Sequence, residues 1–347
     1  MYIKKILWAI ALIGLVICGY FAYYIYGAMF QPNTAFNNET AYIYVPSNAN
    51  YAKVREQLVP LLDDIDTFDA LAKQKQYTTH VKAGRFAIYK GMNNNDIINS
   101  IRSKNLPIKI AFNNQNSLLD LAGRISTQIE ADSLSLVIAM TDESFLNQNG
   151  FEKATALGMY LPNSYEFFWN TTAEGFRNKM FKEYNRFWTD TKRDKAAKLN
   201  LTPNEVMTLA SIVYEESKEK DEQPIVAGLY LNRLKIGMPL QADPTLKFAA
   251  YQLPKYKNTI IRRVLNEHKE IESPYNTYKN SGLPPGLIVM PDLSAVNAVL
   301  DYENHKYLYM VADAKRIGYH KFAKTLAQHN AYAREYHRYL SSQGINR

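Results

Sequence analysis

The sequence predicts an α+β protein carried on one N-terminal membrane-crossing helix, and three observations predict it. The chain opens on a long uncharged apolar run. Its first polar stretch reads strand, helix, helix, strand, and a longer second stretch mixes strong helical periodicity with turn-rich segments and short strands, the pattern of a mixed α/β domain. At 347 residues there is room for two or three modest cores. Hydrophobic residues at 47% and charged ones at 21% fit folded domains and exclude long disorder.

After "MYIKK" no charged side chain occurs from Ile6 to Asn38, and Ile6 to Tyr26 is apolar or aromatic almost throughout, long enough to span the hydrocarbon core. Lys4 and Lys5 precede the run and the next basic residue is Lys53, so the positive-inside rule places the N-terminus in the cytoplasm and the bulk of the chain outside. Tyr20, Phe21, Tyr23, Tyr24 and Tyr26 then form an aromatic belt at the outer interface. A cleaved signal peptide needs a small-residue cleavage site, which "YFAYYIYGAMF" offers poorly. Residues 1–26 are therefore read as a cytoplasmic tip and transmembrane anchor. The single cysteine, Cys18, lies inside this run, which leaves the exported part without a disulfide framework or a cysteine-based metal site.

Residues 27–40, "GAMFQPNTAFNNET", read as a polar linker. "AYIYV" and "GRFAIY" alternate as strands around the helical "NANYAKVREQLVPLL" and "DIDTFDALAKQ", and "NNNDIINSIRSK" reads as a capped helix. This layout over 41–105 resembles a LysM-like carbohydrate-binding module, and a plain spacer fits it equally. Residues 106–158 form a connecting α+β region with the strand-like "PIKIAF" and helices near 118–129 and 134–140. The remaining 159–347 begin with the turn-rich aromatic "YLPNSYEFFWNTTAEGF" and a longer helix. In "LTPNEVMTLASIV", Thr202 suits a cap, Pro203 the first turn and Glu205 the capping-box position. "PIVAGLYLNRLKIG" is a helix closed by Gly237. Loops "QADPT" and "SPYNTYKNSGLPPGLI", a strand in "YLYMVAD" and a closing helix near 323–340 complete the chain.

One residue breaks the pattern. Val206, Leu209, Ala210 and Val213 lay an apolar stripe along one helix face, and the next position on that stripe is Glu216. Glu215 points about 100° away. A carboxyl carried into a dry pocket holds its proton more tightly, and such a group suits a general acid. The spacing alone is equally met by a glutamate frayed into solvent or one paired with Arg233.

Nothing else competes. No metalloprotease helix, phosphate-binding glycine loop, dinucleotide fingerprint or nucleophile elbow is present. No histidine pair has a metal-ligand context; His268 between Glu267 and Lys269 reads as solvated, and so do His329 and His337. The net charge of +8 suits an anionic partner, but the basic residues are scattered, which argues against a nucleic-acid footprint. The 26 tyrosines suit sugar-lined clefts as well as ordinary packing.

The blocks "LASIVYEES", "LNRLKIGMPLQADPT", "SPYNTYKNSGLPPGLI", "YLYMVAD" and "HKFAKTLAQHN", in that order, resemble the endolytic murein transglycosylases of the MltG/YceG-like group. "YLPNSYEFFWNTT" and "KAGRF" extend the likeness over nearly all of the chain past the anchor. The family's catalytic segment has two acids, and Glu216 matches the second; Tyr214 and Glu215 stand where Glu and Lys are common, Ser217 where Thr is common, and Ala242 replaces a common Thr in "QADPT". The resemblance implies a catalytic domain over 159–347 with its glutamate, Glu216, on a helix. It implies non-hydrolytic cleavage of peptidoglycan glycan strands between N-acetylmuramic acid and N-acetylglucosamine, leaving 1,6-anhydro ends, with no cofactor and no metal. Substrate-contacting candidates are Asn232, Arg233, Gln241, Asp243, Thr245, Tyr275, Asn276, Thr277 and Tyr278, with His320 and Asn330 as further contributors. Asp243 before Pro244 also suits a simple turn, Asn276 a loop cap and "SGLPPG" a scaffold. The expected partners are the glycan strands, the bacterial cytoplasmic membrane through the anchor, and penicillin-binding synthases with other wall-synthesis proteins; the expected place is the periplasmic side. A wall-binding scaffold without chemistry is the rival reading.

Overall fold

A computed structural model describes residues 2–257 and 259–343, so Met1, expected to belong to a cytoplasmic tip, and the last four residues of the region expected to carry catalysis lie outside the described residues. The chain divides into two compact units, one running to Ile110 and including Gln128–Ala131 and Tyr165–Thr172, the other made from Ala111–Thr127, Asp132–Ser164 and the chain from Ala173. Both are mixed α+β.

In the first unit, helix α1 (Tyr2–Phe30) carries the apolar run and buries none of its residues. It is long and apolar enough to cross a membrane. Strand β1 (Thr40–Val45) pairs antiparallel with β2 (Gly84–Tyr89), from Thr40 opposite Tyr89 to Val45 opposite Gly84. Between them run α2 (Tyr51–Leu58) and α3 (Ile65–Gln74), and α4 (Asn94–Ser103) follows. Asn50, Asp64 and Asn93 start these helices by accepting backbone N–H groups that no helical carbonyl reaches. Ile43, Val45, Val54, Leu58, Phe68, Phe86, Ile88 and Ile97 close one core.

Residues 27–40 are less of a linker than their polarity predicts. Gly27 to Phe30 continue α1, and Asn33 is buried, donating to Asp64 O and Asn94 Oδ1 at 2.7 Å each. Asn94 in turn donates to Ala28 O at 2.8 Å. The asparagines there satisfy backbone groups that a packed helix end leaves open.

Strand β3 (Pro107–Phe112) pairs with β4 (Asn163–Phe168). Part of the segment read as turn-rich, Asn163–Phe168, is thus a strand, its aromatic run hiding the alternation, and the helix that the segment was expected to lead into starts at Ala173. Along the chain, helices α5 (Leu118–Ser126), α6 (Ser133–Met140) and α7 (Glu143–Gln148) lie between β3 and β4, and α8 (Ala173–Phe187) and α9 (Asp190–Lys198) come after β4.

Helix α10 (Pro203–Glu216) starts with the expected capping box, Thr202 accepting from Glu205 N while Glu205 accepts from Thr202 N. Helix α11 (Gln223–Lys235) ends before Gly237, whose φ of +69° is the left-handed geometry of a helix stop. Helix α12 (Asp243–Tyr251) begins within "QADPT", where a loop was expected, because Pro244 sits in its first turn. A short α13 (Asn266–Lys269) and an apolar α14 (Leu293–Leu300) precede β5 (Tyr309–Ala312) and β6 (His320–Ala323), which pair antiparallel with Ala312 opposite His320. Helix α15 (Leu326–Ser342) closes the chain.

Helix α10 packs against α11, α12 and α14. Every residue from Val206 to Val213 is buried, so the middle of the helix is enclosed on all faces and its apolar stripe is one side of an interior stretch. His268 is a correction: it is only 4% exposed, its Nδ1 accepting from Leu265 N at 2.8 Å and its ring lying against Tyr256. Its charged neighbours point outward and the ring between them turns in.

Candidate active site

Glu216 is the last residue of α10, beyond its interior stretch. Ser217 follows in extended geometry, buried, with its carbonyl accepting from the Gln223 side chain at 3.1 Å. Glu215 is exposed and pairs with Lys218 at 2.7 Å. The two adjacent acids therefore have opposite fates, as helix geometry requires.

The Glu216 Oε2 atom is buried without a hydrogen-bond partner, and Glu216 makes no ion pair among the described residues. A carboxylate cannot stay charged there without cost. Burial pushes its pKa from the ordinary 4.5 up to about 7, and Asp243 adds to the rise, while His320, the Tyr230 hydroxyl and Lys247 pull the other way. The site thus holds a carboxyl poised between its two protonation states near neutral pH, the condition for giving and receiving one proton.

The proposed pairing of Glu216 with Arg233 is absent. Arg233 is buried and spends its guanidinium on backbone carbonyls: Nε donates to Leu308 O at 2.6 Å, Nη1 to Leu240 O at 2.7 Å. It joins α11 to the start of β5 and to the loop before α12. Asn232, its neighbour, donates to His305 O at 2.8 Å and Tyr307 O at 3.1 Å and lines a separate cavity of about 700 Å³ beside Pro284 and Pro285.

The loop candidates divide in two. Thr245, Asn276 and Thr277 have essentially no exposed surface. Thr277 Oγ1 accepts from Ala242 N at 3.0 Å and lies 2.8 Å from Thr245 Oγ1, and Asn276 donates to Lys269 O and Ile271 O. These three frame the loop through hydrogen bonds inside the protein. Asn276 also accepts from Tyr278 N, the loop cap its residue type suits.

Gln241, Asp243, Tyr275 and Tyr278 remain open to solvent in whole or part. Tyr278 donates its hydroxyl to Asp243 Oδ1 at 2.6 Å. Gln241 adopts φ +49°, rare for a side-chain-bearing residue, with its N–H on Thr277 O. Tyr275 packs its ring 4.6 Å from Phe248. Beside Asp243, a cavity of about 490 Å³ is lined by Glu215, Pro244, Lys247, Phe248 and Tyr251 among others, a mixture of rings, an ammonium and a carboxylate that suits a polar ring-shaped ligand.

Three residues of the site were not singled out in the sequence. Tyr230 brings a buried, unpartnered hydroxyl to Glu216 from α11. Lys247 comes from the unexpected helix α12. Glu222, hidden in the charged run "KEKDEQ", is only 3% exposed and binds His320. Their signal is weak in a sequence, since a buried acid in a charged run looks like surface. "SGLPPG" is scaffold: a Cβ on Gly286 would meet Ala154 O at 2.1 Å, and Ile288 N donates to Ser211 Oγ of α10 at 3.2 Å.

Comparison with known proteins adds an independent line. The chain is 30% identical over 346 residues to the endolytic murein transglycosylase of Bacillus subtilis (strain 168), covering 92% of this chain and 91% of that protein. It is 26% identical over 327 residues to the endolytic murein transglycosylase of Streptococcus pneumoniae (strain ATCC BAA-255 / R6), covering 85% of this chain and 58% of that longer relative. A crystal structure of a yceG-like protein from Listeria monocytogenes superposes with a TM-score of 0.56 at 26% identity, over 85% of this chain and 99% of the other. The YceG-like family description itself matches residues 43–335, and on this match the chain belongs to the YceG-like family.

Proposed function

We infer that this protein is an endolytic murein transglycosylase, a lyase that cleaves peptidoglycan glycan strands without water. The observation that carries the chemistry is the Glu216 carboxyl at the end of α10, whose Oε2 atom is buried without a hydrogen-bond partner. The protonated carboxyl gives its proton to the glycosidic oxygen between N-acetylmuramic acid and N-acetylglucosamine. The C1–O bond breaks with its electron pair leaving on that oxygen, and positive charge develops at C1. The muramic O6 then bonds to C1, its proton passes to the Glu216 carboxylate, and a 1,6-anhydro ring closes. The enzyme ends as it began. One carboxyl serves both steps, so the second acid that a hydrolase sets across the bond is not required.

Asp243, held by Tyr278, places negative charge toward the same region, which suits stabilisation of the developing cation. Gln241, Tyr275 and Tyr278 present polar and aromatic groups to a sugar chain, while Arg233, Thr245, Asn276 and Thr277 hold that wall in place and Asn232 supports the neighbouring segment. Residues 1–26 serve as tip and single-pass anchor and 27–40 join them to the body. The 41–105 region acts as a LysM-like glycan-binding module, 106–158 connects, and 159–347 carry catalysis. The N-terminus lies in the cytoplasm and the catalytic region on the outer, periplasmic face, where nascent strands leave penicillin-binding synthases. The anchor's length and the flanking lysines support this orientation.

The test is a digestion of purified glycan strands by the full chain in detergent, read by mass spectrometry. Anhydro-muramyl ends are expected. Reducing ends instead would identify a hydrolase, and intact strands would leave a wall-binding scaffold.

A further inference from the structure

We propose that Glu222 and His320 form a second, charged half of this active centre, in which His320 is a positioning residue whose imidazolium stabilises Glu216 as a carboxylate between its two proton transfers. The inference rests on the transglycosylase reading above and adds to it a group that the single-carboxyl mechanism does not use.

The geometry is that of a fixed histidine. Glu222 precedes α11, but its side chain does not cap the helix. Each of its oxygens meets His320: Oε1 accepts from His320 N at 2.6 Å and Oε2 lies 2.9 Å from His320 Nδ1. The carboxylate is 3% exposed, and a buried carboxylate bound on both oxygens calls for a positive partner. The bond through Nδ1 sets the orientation of the ring and leaves Nε2 without a hydrogen bond among the described residues. Strand β6 begins at His320, pinned opposite Ala312 of β5, so the backbone beneath the ring is fixed as well.

The electrostatics agree. Burial opposes charge on the ring, but Glu222 and Glu216 outweigh it and hold the imidazole above the ordinary histidine value. Burial likewise opposes charge on Glu222, and the His320 and Ser217 hydrogen bonds hold it below the ordinary carboxyl range. Glu222 and His320 thus each favour the charged form of the other. The pair lies against the end of α10, since Gln223, next to Glu222, donates to the carbonyl of Ser217, next to Glu216, at 3.1 Å, so the imidazolium is one of the cations facing Glu216 when it gives up its proton. The other charged or titratable groups facing Glu216 are Tyr230 and Arg233 from α11, Asp243 and Lys247 from α12, and Tyr278 from the loop. None of them is changed by substitution at 222 or 320.

The experiment compares wild type with His320→Gln and Glu222→Gln in the full chain, following anhydro-end formation against pH. Loss of the imidazolium makes Glu216 a weaker acid. Both variants are expected to lose about ten-fold or more in kcat with KM nearly unchanged, and the high-pH limb of the profile is expected to move upward by about half a pH unit or more. A limb at the wild-type pH overturns the proposal however much rate is lost, because a purely structural role lowers rate without moving it. If His320→Gln does not fold, ¹⁵N NMR of the ring in wild type and Glu216→Gln decides: an imidazolium at pH 7 whose midpoint falls on losing Glu216 supports it, and a neutral ring or an unchanged midpoint overturns it. Absence of anhydro ends from wild type would instead sink the underlying reading.

Discussion

Glu216→Gln is expected to abolish strand cleavage, with a loss of about 10³-fold or more in kcat. General acid–base catalysis contributes about 10²- to 10⁴-fold, and here one side chain supplies both the proton given and the proton taken. Glutamine keeps the volume and can do neither. The same substitution is expected to make the protein more stable at alkaline pH. The folded pKa of about 7 lies above the ordinary 4.5, so between these values the fold binds a proton that the unfolded chain has released. The stabilisation from this group is complete below 4.5 and is lost as pH rises through 7, where an ionised carboxylate sits in a dry pocket. The difference amounts to about 3 kcal/mol. Denaturant titrations at pH 5 and 8 check it: the variant gains on wild type at pH 8 and matches it more closely at pH 5. An inactive but unstabilised variant would mean that the pocket is wetter than the structure shows.

Arg233→Ala is expected to lower stability by about 3 kcal/mol, since it strips the charged donor from the buried carbonyl of Leu240 and the half-buried one of Leu308 and each unsatisfied group costs about 1–3 kcal/mol. For a unit of this size that is a melting shift of roughly 6–12 °C. Arg233→Lys is expected to recover only part of it, because an ammonium cannot reach two carbonyls with a planar fork. Activity should fall with stability, since the Leu240 carbonyl belongs to the loop that leads into Asp243. Thermal scans of the three proteins distinguish this bracing role: an unchanged melting temperature in Arg233→Ala would place the guanidinium in contact with ligand rather than frame.

Much of this was legible along the chain wherever a local signal sufficed. The uncharged run of α1, the Thr202–Pro203–Glu205 start of α10 and the Gly237 stop are each written in a few consecutive residues. Strand β4 was not, because "NSYEFF" stacks aromatics instead of alternating, and α14 was not, because eight largely buried residues lack a polar face to set the period. Strand β6, four residues long, exists only through its pairing with β5. The odd placement of Glu216 was visible, but the enclosure of the middle of α10 on every side was not. Asn276 and Thr277 share a segment with Tyr278 yet face inward, a difference that only the folded loop creates. Tyr230 on α11 and His320 on β6 come from different elements, and their convergence on Glu216 is a tertiary fact.

The central claim is that Glu216 carries its proton near neutral pH. The most direct measurement is the carboxyl-carbon titration of Glu216 by NMR, assigned by its disappearance in Glu216→Gln. A midpoint near 7 is the predicted result. A midpoint near the ordinary 4.5 would contradict it, since the carboxyl would then be ionised at neutral pH and have no proton to give.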